Sequence, residues 1–452
     1  MNADRTPPRS LYVPSMKTRN TIMRILLAIA CLLASGTIAF ADNAVFTLLK
    51  TVPVAELDRI LDEERAEFIR SQKPGAGYVL PPVSKATNPV EVYTVRYESR
   101  VPELGDRKIV ATGLLAVPVV AGRTGFPLIS YQHGTVYGKY EVPSFSFQKE
   151  NPTGHPHYDG AYETRHMVAQ FAGNGYLLMA ADYFGMGGGA DEPEAFFVKA
   201  SAQQANYDLY RDVSKFLETK GIAARRLFLG GWSLGGLTTT GFLERLEQEG
   251  VGVTAAFTAS APNDPFASLN GFLFHPQPGV DAPWLETIVA LSAFAYEHYH
   301  SEKDLARSML NPRHYDELRS LYERSYGGPE KLGTMLTKLA DTPLLDFFRD
   351  EYRDPAYFAK SAYGKRLAAA ETYRQQFKAP LRMFCGTDDE AVREPVGRLA
   401  SFYQGVLIGV PEASLENPVQ VDRVPGGNHR LTFIAAAAAA KPWMDGLAGA
   451  AK

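Results

Sequence analysis

Gly231-Trp232-Ser233-Leu234-Gly235-Gly236 is the stretch of this chain best suited to chemistry. It fits G-x-S-x-G, in which a serine sits on a sharp turn from strand to helix and its hydroxyl stands clear of the sheet. Glycine is common here, 39 in 452 residues, so the surroundings decide whether the pattern means more than a glycine-rich turn. They suit it: Arg226 to Gly230 reads as a strand running in, and helical spacing begins at Leu234. A serine hydroxyl is a weak nucleophile at neutral pH and needs a base beside it. Of the nine histidines, His429 lies best, in Gly426-Gly427-Asn428-His429 between an expected last strand, 419–424, and a C-terminal helix. The base needs a carboxylate to orient it. Asp389, in Gly386-Thr387-Asp388-Asp389-Glu390 after the apolar run 381–384, is the choice, with Asp388 beside it and Asp264 farther off as rivals.

Charge developing on an attacked carbonyl oxygen needs N–H donors aimed at it. The Leu234 N–H, at a helix start, is one candidate. Thr135 is the other, in Tyr131-Gln132-His133-Gly134-Thr135, where glycine allows backbone to approach a substrate closely. His133 reads as a hydrogen-bonder that orders this loop. Other chemistry-like patterns are weaker. Ser146-Phe147-Gln148-Lys149 fits S-x-x-K, but S-D-N and K-T-G, its partners, do not occur. His155-Pro156-His157 lacks a clear third metal ligand, and Glu297-His298-Tyr299-His300 reads as a solvated helix edge. No metal site or cofactor is called for.

The elements that must position these residues alternate. Residues 90–118 read as two strands around a turn at Glu103 to Asp106, with period-two patterning from Glu91 to Tyr97. Short apolar runs follow at 128–131, 176–181, 227–230, 253–258 and 381–384, and 161–173, 198–219 and 235–249 carry helical spacing between them. Continuous apolar strands alternating with helices predict an α/β fold: a mostly parallel central sheet with helices on both faces. Ala435 to Ala440 has good helix composition and predicts a last helix packed closely on the sheet. Cys385, in an apolar strand, is expected to be buried and unreactive. From Ser233 to Asp389 the chain is longer than the sheet needs, so 266–375 reads as an inserted helical cap, with periodic helices at 285–291 and 331–345. Trp284, Phe294, Tyr296, Tyr299 and Phe348 either line a pocket or hold the cap's own core. Residues 42–89 are obscure apart from a charged amphipathic helix at 57–70.

Taken together, HGT at 133–135, Asp182-Tyr183-Phe184-Gly185-Met186-Gly187, GWSLGG, GTDDEAV and GGNH resemble the α/β-hydrolase superfamily, in particular its secreted lipases and esterases. The resemblance spans roughly 90–264 and 380–445. It implies the α/β-hydrolase fold and hydrolysis through a covalent acyl-serine, in the chain order Ser233, Asp389, His429. It also implies that the segment from Asp182 to Gly187 shapes the site without doing chemistry.

The chain ends add an address. Lys17, Arg19 and Arg24 precede an apolar run that closes on Ala39-Phe40-Ala41, the pattern of a signal peptide over 1–41. Its continuous apolar core, 25–34, is short for a bilayer span of roughly 20 residues. The expected division is a signal peptide, 1–41; a first core part with lead-in, 42–265; a cap, 266–375; and a second core part, 376–452. The protein is expected to be exported, to periplasm or beyond, with no stable membrane span once cleaved. The formal charge of −3 becomes −7 when five basic residues and one acid leave, which gives no reason to expect nucleic acid as a partner. The expected partner is a small ester or lipid substrate; the sequence says nothing of oligomeric state. Peptide or amide hydrolysis and acyl transfer would use the same triad, and a silent hydrolase fold acting as a binding protein is the reading from another class.

Overall fold

The computed structural model describes residues 44–148, 161–327 and 329–449. The expected signal peptide, Lys149, and His155 and His157 lie outside them. The sheet has nine strands among the described residues: β1 (Val45–Val52), β2 (Val90–Val101), β3 (Arg107–Pro118), β4 (Gly125–Gln132), β5 (Leu177–Ala181), β6 (Ala223–Trp232), β7 (Ala255–Ala259), β8 (Leu381–Gly386) and β9 (Val419–Val424). Their order is β1-β2-β3-β5-β4-β6-β7-β8-β9. The first four in that order pair antiparallel, and from β5 to β9 every pairing is parallel.

The central strands β4, β5 and β7 are buried along their whole length, which is why they read as largely apolar runs, whereas the edge strand β9 carries Gln420, Asp422 and Arg423. Leu227 and Leu229 of β6 and Leu177, Met179 and Ala181 of β5 enter one core, shared with α4 (Lys199–Thr219) and α5 (Leu234–Gln248). Phe228 of β6 and Leu178 and Ala180 of β5 face the opposite core, shared with α3 (Tyr162–Phe171) and α15 (His429–Gly449). Ala436, Ala437 and Ala440 of α15 are fully buried, and Gln170 Nε2 donates to the Ala437 carbonyl at 2.8 Å. Small side chains let the helix backbone approach its neighbour that closely.

Two parts of the chain differ from the sequence reading. The obscure lead-in contains β1, an edge strand whose outward residues Val45 and Leu48 are exposed. Val45, Thr47, Leu48 and Leu49 are all exposed, so the strand lacks the alternation that marks a half-buried one. The helix expected at 57–70 is present and starts earlier, as α1 (Val54–Arg59), a π turn (Ile60–Glu64) and α2 (Arg65–Ile69), which bury Leu57, Ile60 and Leu61. The second difference is the helix expected at 331–345, which is α10 (Pro329–Ala340) and stops early. Pro343 follows; it removes an N–H and biases the preceding residue away from helix, and Leu344–Phe347 forms a short 3₁₀ turn instead.

Between β7 and β8 the chain is helical: α6 (Pro265–Phe274), α7 (Leu285–Tyr299), α8 (Leu305–Met309), α9 (Tyr315–Glu323), α10, α11 (Pro355–Lys360) and α12 (Ala362–Ala369). Phe294, Tyr296, Tyr299 and Phe348 are buried in a core that this segment shares with one face of the sheet. Trp284 is only partly buried. Cys385 is buried on β8, and burial pushes its thiol pKa up, away from reactivity.

Candidate active site

Ser233 joins β6 to α5 with φ 59° and ψ −126°, a conformation rare for a residue with a side chain. Such a residue costs about 1–3 kcal/mol and persists only where the surroundings over-determine it. Here the Ser233 N–H donates to the Ala259 carbonyl at 2.9 Å, and α5 starts at the next residue. The flanking glycines are steric necessities. A Cβ at Gly231 would lie 2.2 Å from the Gly235 carbonyl oxygen, and one at Gly235 would lie 2.0 Å from the Gln132 carbonyl oxygen. Gly235→Ala is therefore expected to destabilise the fold by about 1–3 kcal/mol through forced separation of the turn from β4. The urea midpoint should drop and turnover with it; an unchanged midpoint would contradict this account of the turn.

His429 is the first residue of α15 and is 5% exposed. Its Nδ1 lies 3.0 and 3.2 Å from the two Asp389 carboxylate oxygens, which leaves Nε2 as the nitrogen open to a proton in transit. Asp389 Oδ1 also accepts the Ala391 and Val392 N–H groups at 2.9 and 2.8 Å. Burial alone would raise the Asp389 carboxyl, but the facing His429 and the Val392 N–H outweigh it and hold the pKa below the ordinary carboxylate value. Burial alone would likewise lower the imidazole; the charge and hydrogen bond of Asp389 outweigh it and raise His429 above its usual value. The rival acids are elsewhere. Asp388 is exposed and accepts from the Thr387 hydroxyl at 2.8 Å. Asp264 caps α6, accepting the Ala267 N–H at 2.9 Å.

Ser233, Thr135 and His429 line one cleft, together with Trp232, Trp284, Glu390 and Arg430. Ser233, Thr135 and Leu234 also line a second, apolar pocket with Phe197, Leu269, Phe272, Leu285, Ile288 and Val392. Trp284 borders both, so of the five aromatics singled out in the inserted segment it alone faces Ser233. Leu234 is the first residue of α5, where N–H groups have no intrahelical acceptor.

His133 is buried. Its Nδ1 lies 2.8 Å from the Gly134 carbonyl oxygen and its ring stacks on Tyr183 at 4.2 Å. Burial lowers its pKa to about 4, so it is neutral at ordinary pH and serves as a loop-ordering group. Asp182 is fully buried and accepts from the Thr112 hydroxyl and the Ser144 N–H and hydroxyl. It holds the loop after β5 in place. Ser146 spends its hydroxyl on the Pro143 carbonyl at 2.7 Å. Among the described residues no group of three or more His, Cys, Asp or Glu side chains could hold a metal ion.

Three residues of the site lay beyond the sequence reading. Glu390 Oε2 accepts the His429 N–H at 3.0 Å, and Trp232 Nε1 donates to the His429 carbonyl at 3.0 Å, so both backbone polar groups of His429 are held. Glu163, on α3, accepts the Gly134 N–H at 2.9 and 3.1 Å and the Tyr131 hydroxyl. Burial pushes the Glu163 carboxyl up to about 7, against those two donors. Its neighbours Thr164, Arg165 and His166 are polar too, so nothing in the local sequence marks it as buried.

No family model matches the chain, and no curated protein sequence does. Solved structures match it over most of its length. A protein of Legionella pneumophila described provisionally as a hydrolase aligns with a TM-score of 0.69 at 16% identity, covering 90% of this chain and 98% of that one. The rice cell wall degrading esterase LipA from Xanthomonas oryzae, in a ligand-bound form, aligns with a TM-score of 0.68 at 15% identity, covering 88% and 96%. Candida antarctica lipase A aligns with a TM-score of 0.53 at 14% identity, covering 87% and 79%. The chain has the α/β-hydrolase fold.

Proposed function

We propose that the protein is an exported serine hydrolase that cleaves carboxylic esters through an acyl-serine intermediate. The observation that carries this is the meeting of a strained, partly exposed Ser233 with the buried His429–Asp389 pair on one cleft. In this reading His429 Nε2 takes the Ser233 hydroxyl proton as Oγ attacks the acyl carbon. The Leu234 and Thr135 N–H groups receive the oxyanion, and His429 returns its proton to the leaving alcohol. Water then repeats the sequence and frees the acid.

The two pockets divide the substrate. The leaving oxygen must take its proton from His429, so the alcohol sits in the cleft that His429 lines, among Gln72, Glu390 and Arg430. The acyl chain then occupies the apolar pocket on the other side of Ser233, which His429 does not line. An apolar chain buried there contributes roughly 0.8 kcal/mol per methylene. Esters of apolar acids with polar alcohols fit both sides. Esterase and lipase structures of the same fold support the ester reading.

The test is labelling with a fluorophosphonate, followed by mass spectrometry and a panel of esters, amides and acyl acceptors. The adduct is expected on Ser233, and esters are expected to turn over fastest. An unlabelled protein would exclude the acyl-serine route, and faster amide cleavage would replace the ester reading. Export is tested separately by N-terminal sequencing of secreted protein, with a chain beginning after Ala41 as the expected result.

A further inference from the structure

The loop that carries Thr135 is held nearly peptide by peptide. The Tyr183 hydroxyl donates to the His133 carbonyl at 3.0 Å. Gly134 has its N–H on Glu163 and its carbonyl facing His133 Nδ1. The carbonyl of Gly134 and the N–H of Thr135 belong to one planar peptide and point in opposite directions. His133 Nε2 lies farther, 3.3 Å, from the Asp182 carbonyl; with the single proton of the neutral ring on Nδ1, His133 donates to the Gly134 carbonyl and the Thr135 N–H is turned the other way. Farther on, the Tyr137 and Gly138 N–H groups both donate to Glu141 Oε2 at 2.9 Å.

The remaining holds come from a distant part of the chain. Arg324 Nη2 donates to the Val136 carbonyl at 3.1 Å, and the Tyr326 hydroxyl donates to the Tyr137 carbonyl. Both residues follow α9, in the helical segment between β7 and β8. Arg324 is itself fixed. It caps α9 with φ 55°, donates through Nη1 to the Tyr322 carbonyl at 2.8 Å, and forms an ion pair with Glu194. The Arg324 and Glu194 side chains are 3% and 5% exposed. The Tyr322 hydroxyl donates to the Glu194 carbonyl at 3.0 Å, so the anchor on the core is also doubly held.

We infer that Arg324 and Tyr326 are positioning residues for the oxyanion hole: the inserted helical segment sets the aim of the Thr135 N–H through the two carbonyls that follow it. The inference rests on the acyl-serine reading and goes beyond it, because it makes this segment part of the catalytic apparatus and not only a cover. A donor aimed at the developing oxyanion is worth roughly 10²–10³ in kcat, and it acts only if its position is held to a fraction of an ångström. Releasing the loop should therefore cost kcat and leave the binding of uncharged substrate nearly intact.

The experiment uses the full chain with Tyr326→Phe, which removes a single hydroxyl, and the pair Arg324→Met with Glu194→Gln, which removes the buried charges together. Three quantities are read: kcat, KM, and the affinity for a trifluoromethyl ketone, whose tetrahedral adduct carries the oxyanion. Tyr326→Phe is expected to lower kcat about tenfold and the pair about a hundredfold, by analogy with the loss of one oxyanion donor. KM should stay within about twofold, and ketone affinity should fall by the same factor as kcat/KM. A merely structural role would lower the fraction of Ser233 labelled by fluorophosphonate without splitting kcat from KM. If the pair does not fold, Tyr326→Phe carries the test alone. Labelled variants with wild-type kcat and ketone affinity, or variants with raised KM and unchanged kcat, overturn the inference. A wild-type protein that takes up no fluorophosphonate overturns the acyl-serine reading and this inference with it.

Discussion

Ser233→Ala is expected to lower kcat for activated esters by about 10⁶-fold, the size of loss seen when a catalytic serine is removed from a complete triad. The fold should be untouched. The Ser233 side chain makes no capping hydrogen bond, so deleting its oxygen leaves no buried group unpaired. Alanine adopts the same positive-φ turn at a cost close to that of serine, and a stability change within about 0.5 kcal/mol is expected. The measurements are ester hydrolysis against a long buffer blank, thermal melting, and fluorophosphonate uptake, which should vanish. The residual rate is informative. The proposed donors at Leu234 and Thr135 and the two pockets remain, so turnover should stay somewhat above that in water. Turnover retained within tenfold of wild type would remove Ser233 from the mechanism.

Asp389→Asn is the second large effect, about 10⁴-fold in kcat, because an amide neither selects the correct imidazole tautomer nor stabilises the imidazolium. The pH profile carries a sign that distinguishes this from simple damage. His429 must be neutral to accept the serine proton, so kcat/KM falls as pH drops through the His429 pKa. In the native protein Asp389 holds that pKa above the ordinary histidine value of 6.5. The acid limb should therefore lie above pH 6.5. In the variant the raising influence of Asp389 is gone while burial, which lowers the pKa, remains. The limb should move to lower pH as the rate falls. A limb that stays in place would mean that the group titrating in the profile is not His429. Val392 and Ala391 can still donate to the amide oxygen, so the loop after β8 should hold its shape.

The local geometry of the nucleophile was legible in contiguous residues. Gly231 and Gly235 are required because a Cβ at either would meet backbone at about 2 Å. At Gly231 the clash is with Gly235 inside the turn itself; at Gly235 it is with Gln132 on β4, a constraint set by the neighbouring strand. The central parallel strands were legible because burial on both faces favours apolar residues at nearly every position, and the run shows it directly. The edge strand β1 escaped because Val45, Thr47, Leu48 and Leu49 are all exposed and no alternation marks it.

What only the tertiary structure decided is every choice that depends on residues meeting across the sheet. Asp388 and Asp389 are adjacent and chemically alike, yet only Asp389 points at His429 while Asp388 points to solvent. A difference of one residue after β8 turns a side chain to the other side of the chain, and sequence spacing does not resolve that. Glu163, Glu390, Arg324 and Tyr326 follow the same logic. Each acts on backbone groups that lie up to 189 positions away in the chain, so no local pattern marks it. By itself, the sequence determined which residues can react and the turns that present them, because those are matters of side-chain chemistry and short-range sterics. The fold decided which carboxylate meets the histidine and what holds the loop at Thr135, because those depend on long-range packing that brings distant side chains together.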